Sequence, residues 1–121
     1  MAKHECEAAV VTCMDFRLQE HINQWLEDNG LNGNHDRIAF AGGVKELDTI
    51  MGQLQLSFKL HDIKRAILIN HEDCRGYGEA GTPEKHSEDL RNAAVQVEEQ
   101  LPGVKAQSYY LHLDGTFEEV S

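Results

Sequence analysis

The sequence predicts an α/β fold: a single three-layer domain over residues 1–121, built on a mostly parallel four-stranded sheet with a short edge strand at its C-terminal end. Two observations carry this. Apolar runs of strand length alternate with apolar residues at helical spacing from one end to the other, and no repeat or low-complexity segment interrupts them. The first run is apolar almost without a break, as a parallel strand covered on both faces must be.

Residues 8 to 14 supply that first strand. Leu18, Ile22, Trp25 and Leu26 then recur at helical spacing, with Asp15 placed as the helix N-cap and Asn29-Gly30 as its stop. Arg37 to Ala41 reads as the second strand and Gly42-Gly43 as a tight turn. Leu47, Ile50, Met51, Leu54 and Phe58 form the stripe of a second helix. A third strand, Arg65 to Asn70, leads into a polar loop from Glu72 to Gly81. Thr82-Pro83-Glu84 opens a third helix: a hydroxyl caps the free amides, proline suits the first turn, and an acid favours the positive end. Leu90, Ala93, Ala94, Val97 and Leu101 face inward from it, and Pro102-Gly103 ends it. Lys105 to Leu111 is the fourth strand, Asp114-Gly115 a turn, and Phe117 to Val120 the edge strand.

Composition narrows the partners. With 21 acidic against 11 basic residues, the formal charge of -10 argues against nucleic acid and against an anionic membrane surface. The sequence has no long apolar span, and its start, Met1-Ala2-Lys3-His4-Glu5-Cys6-Glu7, lacks a signal-peptide core, which predicts a cytoplasmic protein. Three cysteines are an odd number, better suited to metal ligation or thiol chemistry than to a disulfide framework.

Right-handed crossovers place the loops after the first three strands on one rim of the sheet, bringing Cys13, Gly42-Gly43 and His71 together. His71 and Cys74, two residues apart in one turn, add to the strand-end Cys13 a set of two sulfurs and one nitrogen suited to Zn2+. The alternative is that both cysteines are small buried hydrophobes and His71 a hydrogen-bonded strand end. Asp15 has two parts open to it. It either fills the fourth zinc position or turns away to Arg17 and leaves that position to water. Gly42-Gly43 matches no phosphate-binding pattern and reads as close backbone packing against the site. Cys6 reads as a spectator, and Glu72 and Asp73 as surface residues. His4, His21, His35, His61, His86 and His112 read as surface or structural, with His86 and Tyr77 near enough in sequence to approach the pocket.

From about Ala8 to Val120 the chain resembles the β-class carbonic anhydrases. Cys13-Met14-Asp15-Phe16-Arg17 is similar to that family's Cys-x-Asp-x-Arg motif, and His71-Glu72-Asp73-Cys74 to its His-x-x-Cys. Arg37 to Gly43 is similar to its Arg-Asn-Ala-Gly segment with a lengthened start, and Asp114-Gly115-Thr116-Phe117 to its late turn. The resemblance implies zinc on Cys13, His71 and Cys74, with Asp15 and Arg17 as a catalytic dyad. It further implies reversible hydration of carbon dioxide to bicarbonate and a homodimer with a pocket built across the interface, Trp25 among the contacts. Two departures stand out. Only seven residues precede Ala8, so part of the substrate wall and of the dimer-clasping arm is expected to be absent, and Arg75 replaces the glycine after the second ligand cysteine. Hydrolysis of a related small electrophile, such as carbon disulfide or carbonyl sulfide, and a non-catalytic zinc-stabilised binding module are the alternative functions.

Overall fold

The structure is a computed structural model that describes residues 4–121; Met1, Ala2 and Lys3, which open the charged start, lie outside the described residues. Its centre is β1 (Ala8–Thr12), in which every residue is buried. Alternate side chains of a strand point to opposite faces, so these residues serve two cores at once. Ala8 and Val10 pack with Leu18, Ile22, Leu26 and Leu31, the layer formed by α1 (Gln19–Asp28) and its flanks. Ala9 and Val11 pack on the other face with Ile50 and Leu54 of α2 (Leu47–His61) and with Leu90, Ala93 and Val97 of α3 (Pro83–Gln100). The continuous apolar run is thus the signature of a sheet with helices on both sides.

The remaining strands are β2 (His35–Ala39), β3 (Arg65–His71), β4 (Lys105–Leu111) and β5 (Phe117–Val120). They lie in the order β2-β1-β3-β4-β5. The first four are parallel, and β5 runs antiparallel to β4 with Leu111 opposite Phe117. Trp25 of α1 stacks on Phe117 at 5.1 Å between ring centroids and meets Tyr109 edge-on at 5.2 Å, seating the edge strand against the helix within the chain.

The chain leaves β1 toward one side to form β2, then crosses back to form β3 on the other side of β1. The carboxyl ends of β1 and β3 therefore flank a topological switch point, where no crossover covers the crevice. Cys13 follows β1 and His71 closes β3. The fold alone brings them to one place.

Helix boundaries follow local chemistry. Thr82 Oγ1 accepts from the Lys85 N–H at 3.1 Å, and Pro83 stands at the first helical position of α3. Three strands have limits that differ from the sequence reading. β1 ends at Thr12, and β2 covers His35–Ala39 because its five residues pair one for one with β1, from Ala8 opposite His35 to Thr12 opposite Ala39. β3 extends through His71 because that residue pairs with Leu111. Among the described residues no helix is long and apolar enough to cross a membrane.

Candidate metal centre

Cys13, His71 and Cys74 are buried, and one donor atom from each lies within 4.8 Å of the others. The two sulfurs stand 3.9 Å apart, far beyond a disulfide bond, so both thiols are free. His71 Nδ1 lies 2.7 Å from the Glu72 carbonyl oxygen, which can only accept. The ring proton is thereby assigned to Nδ1, and Nε2 carries a lone pair. That Nε2 is buried and has no hydrogen-bond partner among the described residues. Leaving a buried polar atom unsatisfied costs roughly 1–3 kcal/mol, so a cation between two soft sulfurs and this nitrogen resolves an otherwise unfavourable arrangement. The donor set fits Zn2+.

Electrostatics favour the loss of a proton from one thiol of the pair, Cys13. Burial raises the Cys13 thiol, but the nearby His71 imidazole and the backbone N–H of Gly42 outweigh it and bring the thiol below its ordinary value. Burial, with the neighbouring Cys13, pushes Cys74 the other way. Two like charges at this distance resist simultaneous ionisation unless a cation lies between them.

Gly42 and Gly43 have the close-packing role their sequence indicated. The Gly42 N–H donates to Cys13 Sγ at 3.3 Å. Gly43 sits at φ +61°, and a Cβ there would strike the Asn70 side chain. Asn70 is a residue the sequence reading missed. Its Oδ1 accepts from the Val44 N–H at 3.1 Å, and its Nδ2 reaches both Tyr77 Oη and His86 Nδ1 at 2.9 Å. Tyr77 Oη in turn donates to Asp89 at 2.8 Å. His86 and Tyr77 are therefore buried behind the site, where they brace the strand end that carries His71.

Asp15 is turned toward Arg17. Nε of Arg17 donates to Oδ1 at 3.1 Å and Nη2 to Oδ2 at 2.7 Å, while the Arg17 backbone N–H also donates to Oδ1 at 2.9 Å. These hydrogen bonds hold the Asp15 carboxyl down at about 2. Its Oδ2 stands 3.9 Å from the unpartnered Nε2 of His71. Asp73, read from sequence as a surface residue, accepts from the far side of the same guanidinium: Oδ2 takes Nη1 at 3.1 Å and the carbonyl takes Nη2 at 2.9 Å. Gln19 Nε2 donates to the Asp15 carbonyl at 2.8 Å, a further brace that sequence did not reveal.

A cavity of about 550 Å³ opens over this cluster, lined among others by Cys13, Asp15, Arg17 and Arg75, with Met14 and Phe16 as its apolar wall. The arrangement defines a class: a soft-ligand metal centre at the switch point of a doubly wound sheet, with a carboxylate held beside it and a solvent-accessible approach.

Comparison with known proteins gives the family. A family model described as "Putative carbonic anhydrase" matches residues 3–121, and the chain belongs to that family. Among solved structures, a carbonic anhydrase from Glaciozyma antarctica aligns with a TM-score of 0.69 at 18% identity, over 100% of this chain and 85% of that one. The β-carbonic anhydrase CafA of Aspergillus fumigatus aligns with a TM-score of 0.59 at 14% identity, over 98% and 76% of the two chains. Both likenesses are of fold. An uncharacterized protein of Rickettsia bellii is 26% identical over 136 residues, covering 97% of this chain and 83% of its own length.

Proposed function

We propose that this chain catalyses the reversible hydration of carbon dioxide to bicarbonate, with Cys13, His71 and Cys74 holding Zn2+ and with Asp15 and Arg17 as the catalytic dyad. One observation carries the reading: the Asp15 carboxylate, gripped by Arg17, stands 3.9 Å from a buried, unpartnered His71 Nε2 that faces two free thiols. Bound there, Zn2+ supplies the acidity that makes water a nucleophile near neutral pH, lowering its pKa to about 7.

The chain's own residues supply the rest. Asp15, ionised throughout the neutral range, accepts a hydrogen bond from the reacting oxygen and so directs its lone pair toward the carbon of the substrate. Arg17 keeps Asp15 from becoming a ligand itself, because both carboxylate oxygens are already engaged. The Met14 and Phe16 side of the cavity gives an apolar substrate an apolar wall to approach along. Arg75, which lines the same cavity, offers a cationic partner for the bicarbonate product.

The held-off carboxylate favours this reading over the form of the non-catalytic module that keeps Asp15 on the metal; the other form, in which Arg75 blocks the open position, calls for a zinc-loaded protein without turnover. We further read the active form as a homodimer in the cytoplasm, with residues 1–121 acting as one domain. Phe16 and Met14, 86% and 64% exposed beside the cavity, are apolar surface for a second copy to cover, and three free thiols suit a reducing compartment. The test is carbon dioxide hydration by protein of measured zinc content, with chelated protein and Cys74→Ser as controls. Activity in proportion to bound zinc supports the proposal, and fully loaded protein that is inactive refutes it.

A further inference from the structure

We propose that Cys6, Asp36 and His61 form a second metal site, for a zinc-class divalent cation, at the end of the sheet opposite Cys13. One donor atom from each of these residues lies within 4.8 Å of the others, the same closeness that defines the Cys13 cluster. The residues come from three separate pieces of chain: the lead-in to β1, the second position of β2, and the last residue of α2. Cys13 lies seven positions beyond Cys6 along largely extended chain, which puts the two clusters about 20 Å apart. The inference therefore stands apart from the function proposed above.

The donors are held close together by bonds from the elements that carry them. The Cys6 backbone N–H donates to the His61 carbonyl at 3.1 Å, while the neighbouring Glu7 is tied to Asn34 on one side and to Lys64 on the other. Asp36 is fixed by Ser57, whose Oγ donates to Oδ2 at 2.6 Å, an outer partner of the kind that orients metal-binding carboxylates. His61 Nδ1 lies 2.6 Å from the same oxygen, so the imidazole is already aimed at the carboxylate and a cation replaces one proton between them. The half-buried Cys6 thiol forms no disulfide and donates to the Ala8 carbonyl at 3.6 Å, a contact that a metal-bound thiolate would give up. A sulfur, a nitrogen and an oxygen select a borderline cation such as zinc over magnesium or calcium, which take oxygen donors.

The side chains of Asp36 and His61 are 29% and 34% exposed, so the site is reachable from solvent and water can complete the coordination. Its position gives it a structural consequence. Among the described residues, β2 is an edge strand with β1 as its sole neighbour in the sheet. A cation on Cys6, Asp36 and His61 pins that edge to the end of α2 and to the start of β1.

The test uses the metal-free full chain titrated with Co2+, followed by thiolate-to-cobalt charge-transfer absorption, and in parallel with Zn2+, followed by the imidazole signals of His61 in NMR spectra. We expect Cys13→Ser to retain an equivalent of Co2+ with a thiolate band, Cys6→Ser to lose one equivalent relative to wild type, and Asp36→Asn to weaken it at least about tenfold. In wild type, the His61 signals shift with the second equivalent of Zn2+. The proposal is overturned if Cys6→Ser and wild type give superimposable cobalt titrations, or if the wild-type His61 signals stay fixed through the zinc titration, a readout that needs no variant to fold.

Discussion

Arg17 holds Asp15 from one side and Asp73 from the other, reaching 2.7 Å to the first carboxylate and 3.1 Å to the second. Asp15 and Arg17 belong to one short turn, two residues apart, whereas Asp73 comes from the loop that carries Cys74. The guanidinium therefore clamps the two ligand-bearing loops together. Half-exposed ion pairs of this kind add about 0–1 kcal/mol to stability, so the value of the clamp is in position.

Arg17→Ala is predicted to lower carbon dioxide hydration by about 10- to 100-fold while leaving the melting temperature nearly unchanged, the range expected for loss of an outer partner of a metal site. Asp73→Asn should cost less, because the Asp73 carbonyl keeps its own bond to Arg17. Steady-state hydration rates with thermal denaturation distinguish the two.

Removal of metal should destabilise the fold. Two buried thiols and an orphaned imidazole nitrogen face one another without it. Chelation is predicted to lower stability by about 4 kcal/mol relative to protein with free zinc ~1,000-fold above Kd, read by urea unfolding in the two conditions. Equal midpoints would contradict a metal-filled cluster.

Much of this was legible in the sequence. The alternation of apolar runs gave the layers, Thr82-Pro83 placed the start of α3, and Cys13, His71 and Cys74 fall at strand ends that the crossover rule brings together. What was hidden depends on long-range pairing. The β2 limits follow from its register with β1, which the apolar Phe40 and Ala41 beyond its end obscured. Asp73 meets Arg17 across 56 positions, and Asn70 reaches Val44 across 26. The nearness of Cys6 to Asp36 and His61 was hidden for the same reason, since those residues lie far along the chain.

His86 sets a pH dependence of stability. Burial, helped by the neighbouring His71, pushes its imidazole down to about 4, below the ordinary 6.5 it regains on unfolding. Below pH 6.5 the unfolded chain binds a proton that the folded chain refuses. Stability contributed by the neutral ring is thus present above pH 6.5 and lost as pH falls toward 4, by about 3 kcal/mol in all. Urea unfolding between pH 7 and pH 4.5 should show this decline, and NMR should find His86 still neutral at pH 5.

Gly43→Ala is predicted to cost roughly 1–3 kcal/mol, since φ +61° disfavours a side chain and the new methyl group meets Asn70. The same displacement should weaken zinc binding, because Asn70 precedes His71 in β3. Denaturant midpoints and zinc affinity measured on one preparation check both.

Arg75→Gly removes a cation from the cavity wall. The expected result is a several-fold rise in KM for bicarbonate in the dehydration direction with kcat little changed, the pattern of lost binding shared by ground and transition states. An unchanged KM would place the guanidinium outside the product's path.

The most direct test of the central claim is stopped-flow carbon dioxide hydration by metal-quantified wild type and Asp15→Asn across roughly pH 6.5 to 9, a range that begins near the expected zinc-water pKa of about 7. The account predicts zinc-dependent turnover in wild type and its loss in the variant at equal zinc content. A zinc-loaded wild type that is inactive at every pH, or an Asp15→Asn variant as active as wild type, would contradict it.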